Sequence, residues 1–155
     1  MSSVSLTRRK GKETVERNIP KILERRPDLQ FAFVGKQHKS LHLPSKFEGR
    51  VTIIGSVEPS EIPKYYRGAD FLVHPSLTEG VPRAVLEALA CGLPVVARDV
   101  GDISYVTENT FQMESDFVET VCEFESLPVD SLKKFSRDVV GKKYYELTIS
   151  GKQNT

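Results

Sequence analysis

The segment Asp70–Val100 reads DFLVHPSLTEGVPRAVLEALACGLPVVARDV and decides the fold of this chain. It holds two short apolar runs, Phe71–Val73 and Leu93–Ala97, on either side of a polar turn and an amphipathic stretch. Uniformly apolar strands are typical of a parallel sheet that is covered on both faces. The order strand, loop, helix, strand therefore predicts an α/β domain.

Both ends of the helix in this segment carry sequence signals. Pro82 suits the first helical turn, where its missing N–H costs no hydrogen bond. Gly92 followed by Pro94 is a stop signal. Between these limits, three apolar side chains recur at helical spacing and predict one buried face: Val85, Leu86 and Leu89.

The loop from Pro75 to Val81 lies where an α/β domain would bind a ligand. Parallel sheets bind ligands at the carboxyl ends of their strands. The loop also leads into a helix N-terminus, whose N–H groups and dipole suit a phosphate. Glu79 is unexpected there, because a carboxylate repels a bound anion. It fits only if it accepts hydrogen bonds from hydroxyl groups next to the phosphate. Hydroxyls beside a phosphate indicate a nucleotide-linked sugar.

Glu79 and Glu87 lie within TEGVPRAVLEALACGLPVVA, with seven residues between them. This segment closely resembles the E-x7-E signature of the retaining glycosyltransferases of family 4 (group 1), which have the GT-B fold. The resemblance implies a Rossmann-like, three-layer α/β domain with a parallel sheet flanked by helices. We expect residues 1–150 to be the C-terminal, nucleotide-sugar-binding half of such an enzyme and residues 151–155 to be a disordered tail.

The resemblance also assigns roles to individual residues. In the family the first glutamate lies near the transferred sugar and the second accepts hydrogen bonds from the ribose hydroxyls, which makes Glu79 the catalytic candidate and Glu87 the ribose ligand. A carboxylate has two oxygens and can accept both donors of a cis-diol. Because Pro82 has no N–H, the groups expected to hold the sugar or phosphate after Glu79 are Gly80, Val81 and Arg83.

Helical periodicity alone gives a different interpretation of Glu87. At 100° per residue it falls roughly 130° from the middle of the apolar stripe, which predicts a solvent-facing side chain. It would then pair with Arg83 at i, i+4 spacing. Only the resemblance assigns Glu87 to a ligand.

The N-terminal residues MSSVSLTRRKG resemble a family segment in which a strand ends in Gly-Arg-Leu and a Lys-Gly follows. In the family that Arg and that Lys hold the donor diphosphate. Lys10 and Gly11 match the second half, which assigns Lys10 to the diphosphate. Ser5 stands where the Arg is expected, and Arg8 or Arg9 could either replace it or form a solvated basic turn.

Two further turns are candidate donor contacts. Gly35 follows the second predicted strand, and its lack of a Cβ lets the backbone approach a ligand. The family places the nucleotide base against the turn after the third strand, mostly through backbone groups, so such contacts depend little on side-chain identity. That turn consists of Gly55, Ser56 and Val57.

The other elements follow from periodicity and from turn signals. Tyr65 and Tyr66 are expected to pack against the sheet, and His74 to lie in the core or at its rim. A charged helical pattern begins at Ser126. The predicted elements are a strand at Val4–Leu6, a helix at Lys12–Arg26 kinked or restarted by Pro20, a strand at Leu29–Val34, an irregular segment at Lys36–Arg50, a strand at Val51–Ile54, a helix at Ser60–Ala69 capped by Ser60, a strand at Phe111–Glu114 and a helix at Asp116–Phe124.

Length and composition narrow the class of protein. The 155 residues suffice for one domain, and a formal net charge of +1 argues against a dedicated nucleic-acid binder. Cys91 and Cys122 are too few for a disulfide framework, which favours a cytoplasmic location. No apolar run approaches the ~20 residues of a membrane span. We therefore expect a cytoplasmic domain whose parent enzyme could lie on a membrane surface.

No metal or other cofactor is expected. His38 and His42 lie in a polar segment without a Cys or carboxylate at ligand spacing, which favours a surface loop over a metal site. The sequence has no Asp-x-Asp motif. The resemblance implies a metal-independent reaction, in which cationic side chains and a helix N-terminus stabilise the leaving diphosphate.

Together these patterns predict the donor half of a retaining glycosyltransferase, which binds a nucleotide diphosphate sugar but transfers nothing without an N-terminal acceptor-binding domain. The alternative is a non-catalytic GT-B-like domain with weak nucleotide binding and an assembly or regulatory role. Three departures from the family pattern keep the alternative open: Ser5, Pro82, and Asp102 in place of a second glycine after Gly101. A dinucleotide oxidoreductase is disfavoured, because no G-x-G-x-x-G follows the first strand.

Overall fold

Strands and helices alternate along the part of the chain that the structure describes. The structure is a computed structural model and describes residues 2–4, 11–35, 41–77 and 82–124. Two short 3₁₀ helices lie at Ser45–Arg50 and Ile103–Tyr105. The remaining elements are β1 (Ser2–Val4), α1 (Lys12–Arg25), β2 (Phe31–Val34), β3 (Val51–Ile54), α2 (Ile62–Arg67), β4 (Leu72–His74), α3 (Arg83–Ala90), β5 (Val95–Arg98), β6 (Thr110–Phe111) and α4 (Glu114–Glu123).

These six strands form one sheet in the order β3-β2-β1-β4-β5-β6, and every neighbouring pair is parallel. The chain builds outward from β1 to β3, then returns to the other side of β1 with β4. The point where the direction reverses, between β1 and β4, is where doubly wound folds open a crevice for ligands. The predicted Rossmann-like parallel sheet is confirmed.

Side chains of the central strands alternate between two apolar layers. Val73 and Val96 pack with α1 and α4, whereas their neighbours Leu72 and Val95 pack with α2 and α3. All four side chains are at most 3% exposed. This burial on both faces explains why the strands read as continuous apolar runs, and it confirms the predicted three layers.

Helix α3 ends as the sequence predicts. Gly92 has φ +77°, a left-handed conformation that favours glycine. Its N–H donates to the Leu89 carbonyl at 2.9 Å, and the N–H of Leu93 donates to the Ala88 carbonyl at 2.9 Å. This pair of bonds is a Schellman motif, which satisfies carbonyls at the end of the helix and turns the chain into β5.

The start of α3 differs slightly from the prediction. Pro82 does not occupy the first turn but precedes it, with φ −69° and an extended ψ of 126°. Its carbonyl accepts hydrogen bonds from the N–H groups of Val85 and Leu86, at 3.0 and 3.2 Å. Pro82 therefore occupies the N-cap position. Its carbonyl accepts helical hydrogen bonds, whereas its φ and ψ angles are not helical.

The predicted restart of α1 at Pro20 is wrong, because one helix runs through this residue from Lys12 to Arg25. Proline removes one hydrogen bond from the helical ladder. Ile19 and Ile22, on either side of Pro20, are both fully buried against the sheet. Tertiary packing of this apolar face outweighs the local cost.

Helix α2 is shorter than predicted, and Ser60 is not its cap. The N–H of Glu61 donates to the Glu58 carbonyl at 2.9 Å, which closes a turn before the helix begins. Glu61 occupies the N-cap position without a side-chain cap bond, and Pro63 lies in the first turn. The turn therefore delays the helix past Ser60.

The 3₁₀ helix at Ser45–Arg50 lies in the segment that was predicted to be irregular. Phe47 anchors it, since this side chain is 6% exposed and joins the layer of α1. Arg50 at its end donates hydrogen bonds of 2.5 to 3.1 Å to three carbonyls near the end of α1: those of Leu23, Arg26 and Leu29.

Other boundaries shift by one to three residues from those predicted. Helix α4 starts at Glu114 rather than Asp116, because the Asp116 carboxylate accepts a hydrogen bond from the N–H of Met113 at 3.2 Å and so acts at the third helical position. The helical pattern from Ser126 and the tail at 151–155 lie outside the described residues. No helix in the described ranges combines the length and hydropathy needed to cross a bilayer.

Candidate functional site

A cavity of 230 Å³ lies at the carboxyl ends of β2, β3 and β4. Helices α2 and α3 close its sides through Tyr65, Tyr66 and Ala84, and His74 at the end of β4 lies in its wall. Among the residues proposed from sequence, the structure brings four together in this wall: Gly35, Ser56, Val57 and Glu87.

Four other predicted site residues, Lys10, Glu79, Gly80 and Val81, lie outside the described residues. The described residues on either side show where their loops begin and end. Lys10 directly precedes Gly11 at the N-cap of α1, and the loop that contains Glu79 leads from β4 to the N-cap of α3. Both loops follow strands at the switch point of the sheet.

Gly35 occupies a backbone conformation that a side chain would strain. Its φ is +140°. Its N–H donates to the carbonyls of Ile54 and Gly55, at 3.0 and 3.2 Å. The turn after β2 is therefore tied to the turn after β3, and the two turns form one side of the cavity.

Gly55 contributes differently from its neighbours. It is not part of the cavity wall within the described chain, and a Cβ built on it would meet nothing within 4 Å. Its carbonyl accepts the hydrogen bond from Gly35. Gly55 thus orders the turn that presents Ser56 and Val57.

Glu87 is solvent-facing and also borders the first cavity. Its side chain is 47% exposed, and its Oε1 lies 3.7 Å from Arg83 Nη2, which confirms the solvent-facing orientation and the i, i+4 pair. The same residue lines the 230 Å³ cavity. Arg83 is 92% exposed, so this ion pair contributes at most about 1 kcal/mol.

Tyr66 packs against the sheet as predicted and also lines the same cavity as Glu87. It is 7% exposed and lies in the apolar layer with Leu72 and α3. Burial raises the pKa of Tyr66 most, and the negative charge of the nearby Glu87 carboxylate raises it further. The hydroxyl therefore stays protonated at neutral pH and is available as a hydrogen-bond donor.

A second cavity, of 490 Å³, lies on the other side of these two residues, between α2 and α3. Cys91 lies in its wall, and burial raises the pKa of this thiol. Arg83 lies in the wall of this cavity rather than of the first. The two cavities share four residues: Val57, Ile62, Tyr66 and Glu87.

The first turn of α1 is fixed against the loop after β4. Gly11 has φ +79°, and a Cβ built on it would lie 2.0 Å from the carbonyl oxygen of Pro75. Any other residue would clash with this backbone. The contact holds the loops that follow β1 and β4 together at the point where α/β sheets bind ligands.

The comparison with known families identifies the chain. Residues 2–124 match the model of the family described as glycosyl transferases group 1. The chain belongs to this family. Its fold is one half of the GT-B fold, consistent with the C-terminal domain of a group 1 enzyme.

Curated relatives support the same family. The chain is 31% identical over 124 residues to a subunit of the phosphatidylinositol N-acetylglucosaminyltransferase of Homo sapiens, covering 76% of this chain and 26% of the relative. It is 32% identical over 108 residues to D-inositol 3-phosphate glycosyltransferase of Pseudarthrobacter chlorophenolicus, covering 64% of this chain and 26% of that protein. The chain thus spans about a quarter of the length of these relatives.

A solved structure shows the same fold at low identity. A mutant of S. aureus TarM, crystallised with UDP among its ligands, superposes with a TM-score of 0.71 and 15% identity. The match covers 94% of this chain and 34% of that one.

Asp102, which departs from the family pattern, lies in the turn after β5. Gly101 has φ +58°, and Asp102 is exposed just before the second 3₁₀ helix. Asp102 lies in the wall of neither described cavity.

His42 is exposed, and its Nδ1 lies 3.5 Å from Glu16 Oε1. The described residues hold no group of three metal-ligating side chains.

Sequence reasoning missed that Tyr66 lines the same cavity as Glu87. The prediction of packing considered only its ring. A tyrosine rather than a phenylalanine in a buried position is itself a signal, because a buried hydroxyl usually finds a hydrogen-bond partner. Nothing in the spacing of the sequence pairs Tyr66 with Glu87, which lie on different helices.

Proposed function

We propose that the chain binds the nucleoside diphosphate part of a nucleotide-sugar donor, as the donor half of a metal-independent retaining glycosyltransferase. The observation that carries the proposal is the cavity at the carboxyl ends of β2, β3 and β4, where Gly35, Ser56, Val57 and Glu87 meet. Family membership and the GT-B fold support it.

In this proposal the ribose and base occupy the described part of the site. The carboxylate of Glu87 accepts hydrogen bonds from the ribose hydroxyls, since its two oxygens can take both donors of a cis-diol. The base lies against the turn at Ser56 and Val57 and meets mainly backbone groups. The hydrogen bonds from Gly35 to the carbonyls before this turn hold it in place for that contact.

The diphosphate would lie toward the switch point of the sheet. There the first turn of α3 begins, and its leading N–H groups have no acceptor within the helix. Arg83 on this turn and Lys10 beside α1 supply positive charge. Cationic groups and helix N-termini aimed at a leaving diphosphate stabilise the charge that develops on it. Glu79, with the backbone of Gly80 and Val81, is proposed to address the transferred sugar.

A second, acceptor-binding domain is proposed to cover this edge of the sheet. Large apolar side chains follow the carboxyl ends of three neighbouring strands: Leu77 after β4 is 47% exposed, Tyr105 after β5 is 60% exposed and Met113 after β6 is 66% exposed. Exposed apolar groups at one edge are typical of a contact surface. The greater length of the relatives leaves room for such a domain.

We further propose that the parent enzyme works on the cytoplasmic side of a membrane as a peripheral protein. The support is the human relative, whose name includes phosphatidylinositol, a membrane lipid.

Titration calorimetry with UDP, GDP and ADP tests donor binding. We expect at least one of them to bind with a dissociation constant between micromolar and millimolar, and we expect the chain alone to transfer no sugar, because half a cleft offers no acceptor site. Heat from none of the three at millimolar ligand contradicts the proposal. Transfer by this chain alone would contradict the requirement for a second domain.

A second candidate is a non-catalytic domain with weak nucleotide binding and a role in assembly or regulation. It is favoured by the human relative, which is named as one subunit of an enzyme, and by the exposed Asp102 where the family pattern has glycine. The two candidates differ in donor specificity. A catalytic half should prefer one base, whereas an assembly domain should bind the three nucleotides about equally or not at all.

A further inference from the structure

Glu87 is approached by two side chains of opposite character. Tyr66 comes from the core, 7% exposed and fixed by the layer between the sheet and α3. Arg83 comes from solvent, 92% exposed, with its Nη2 at 3.7 Å from Glu87 Oε1. An exposed pair between long side chains is mobile and is screened by salt. The buried tyrosine is therefore the partner that can set the orientation of the carboxylate.

The wall between the two cavities also pairs Tyr66 with Glu87. Of the four residues that line both cavities, Val57 and Ile62 have apolar side chains. The hydroxyl of Tyr66 and the carboxylate of Glu87 are the polar side-chain groups of this partition in the described chain. They are brought together by packing of α2 on α3.

We propose that Tyr66 is a positioning residue for Glu87: its hydroxyl donates to the carboxylate and holds it in the orientation that receives both ribose hydroxyls of a nucleoside diphosphate. This inference rests on the proposed donor binding. A carboxylate accepts about four hydrogen bonds, so one from Tyr66 leaves room for both ribose donors. Fixing the carboxylate before the ligand arrives lowers the entropic cost of binding.

The binding test removes only the hydroxyl. The Tyr66→Phe protein is titrated with the ribonucleoside diphosphate that binds most tightly among UDP, GDP and ADP, and with its 2′-deoxy analogue. We expect affinity for the ribonucleotide to fall about fivefold, the loss of one net hydrogen bond, and affinity for the analogue to fall less than twofold. Tyr105→Phe is the matched control, because this tyrosine is 60% exposed and lines neither cavity, and it should change neither affinity.

Equal losses for the two ligands in Tyr66→Phe would show that Tyr66 acts on the fold rather than on the ribose contact, and would overturn the inference. Unchanged affinities would overturn it as well. Circular dichroism and the melting temperature of each variant must match those of the unsubstituted chain.

A second measurement separates this inference from the proposed function. The chain is labelled with ¹³C at the ζ carbon of tyrosine, and Tyr66→Phe assigns the Tyr66 resonance without any ligand. Glu87→Gln should shift that resonance and leave in place the resonance of Tyr105, which lines neither cavity. If it moves nothing, Tyr66 does not contact Glu87 and the inference fails even where nucleotide binds. If the resonance shifts but no nucleotide binds, the proposed function fails and the positioning role fails with it.

Discussion

The two faces of the sheet are built in different ways. On one face, α1 and α4 have 14 and 10 residues, and ion pairs such as Arg25–Glu119, at 2.6 Å, join them. Asn18 within this layer is 2% exposed and donates to Glu114 at 2.7 Å. On the other face, α2 and α3 have 6 and 8 residues, and both cavities lie beside them.

This difference separates stability from ligand binding. Long helices with continuous apolar faces bury enough surface to carry the fold. Short helices leave gaps between them, and regions with little buried contact are the ones that adapt to ligands. Buried substitutions on the first face should therefore change stability without changing binding, whereas substitutions of polar residues in the cavity walls of the second face should change mainly binding.

The largest loss of stability is expected in the layer formed by α1 and α4. Phe117 on α4 is fully buried, and its ring centroid lies 4.9 Å from that of Phe111. Phe117→Ala should lower the free energy of unfolding by about 3 to 5 kcal/mol, because it leaves a cavity in the core. Urea denaturation measures the loss. Nucleotide affinity of the fraction that remains folded should stay within twofold, and a larger change would break the separation of the two faces.

The contact at the switch point should affect both properties. Gly11→Ala forces a left-handed residue and a clash with the Pro75 carbonyl, which should cost about 1 to 2 kcal/mol for the backbone conformation and more for the clash. Denaturation and calorimetry together measure the loss of stability and of affinity. Gly49→Ala is the matched control, because a Cβ there meets nothing within 4 Å. Equal effects of the two substitutions would show that the Gly11 contact is unimportant.

The cavity face should respond mainly through binding. Glu87→Gln should weaken a ribonucleotide tenfold or more, since a hydrogen bond to a charged group contributes about 1.5 to 3 kcal/mol, and should weaken its 2′-deoxy analogue less. The four affinities form a thermodynamic cycle that isolates the contact with the 2′-hydroxyl. Strict additivity in that cycle would exclude this contact and leave Glu87 as a surface partner of Arg83.

The smallest effect is expected from an exposed ion pair at the end of α1. The fork of hydrogen bonds from Arg26, at 2.9 and 2.7 Å, lowers the pKa of Asp28 from 3.8 to about 2. Because the folded-state pKa is lowered, the stabilisation is present above pH 4 and disappears as the pH falls toward 2. Asp28→Asn should remove this small part of the acid dependence. A stability difference between the two proteins that is unchanged from pH 5 to pH 2 would contradict it.

Short sequence patterns predicted the features of the fold that depend on residues close together in the chain. Gly92 and Pro94 marked the end of α3 because only glycine adopts the required turn easily. The apolar strands indicated a buried parallel sheet because covered strands have no polar face. Val51–Ile54 was predicted with its observed bounds.

Contacts between segments that are far apart in the chain could not be predicted from the sequence. Pro20 was expected to kink or restart α1, but no restart occurs, because buried isoleucines on both sides keep the helix continuous. The approach of Gly11 to Pro75 and of Tyr66 to Glu87 depends on how loops and helices pack, which spacing along the chain does not encode. The resemblance to a family supplied Ser56, Val57 and Glu87, whereas Gly35 was predicted from its position at the end of a strand. The structure brings these four into one wall.

The guanidinium of Arg50 has a consequence for exchanging segments between related enzymes. It donates hydrogen bonds to the carbonyls of Leu23, Arg26 and Leu29, which lie more than twenty positions earlier in the chain. The segment before β3 therefore supplies the donors that cap the end of α1. A lysine there could not span the three acceptors with one ammonium group. A transplanted loop that lacks this arginine would therefore unravel the last turn of α1, so the loop and the helix must be transplanted together.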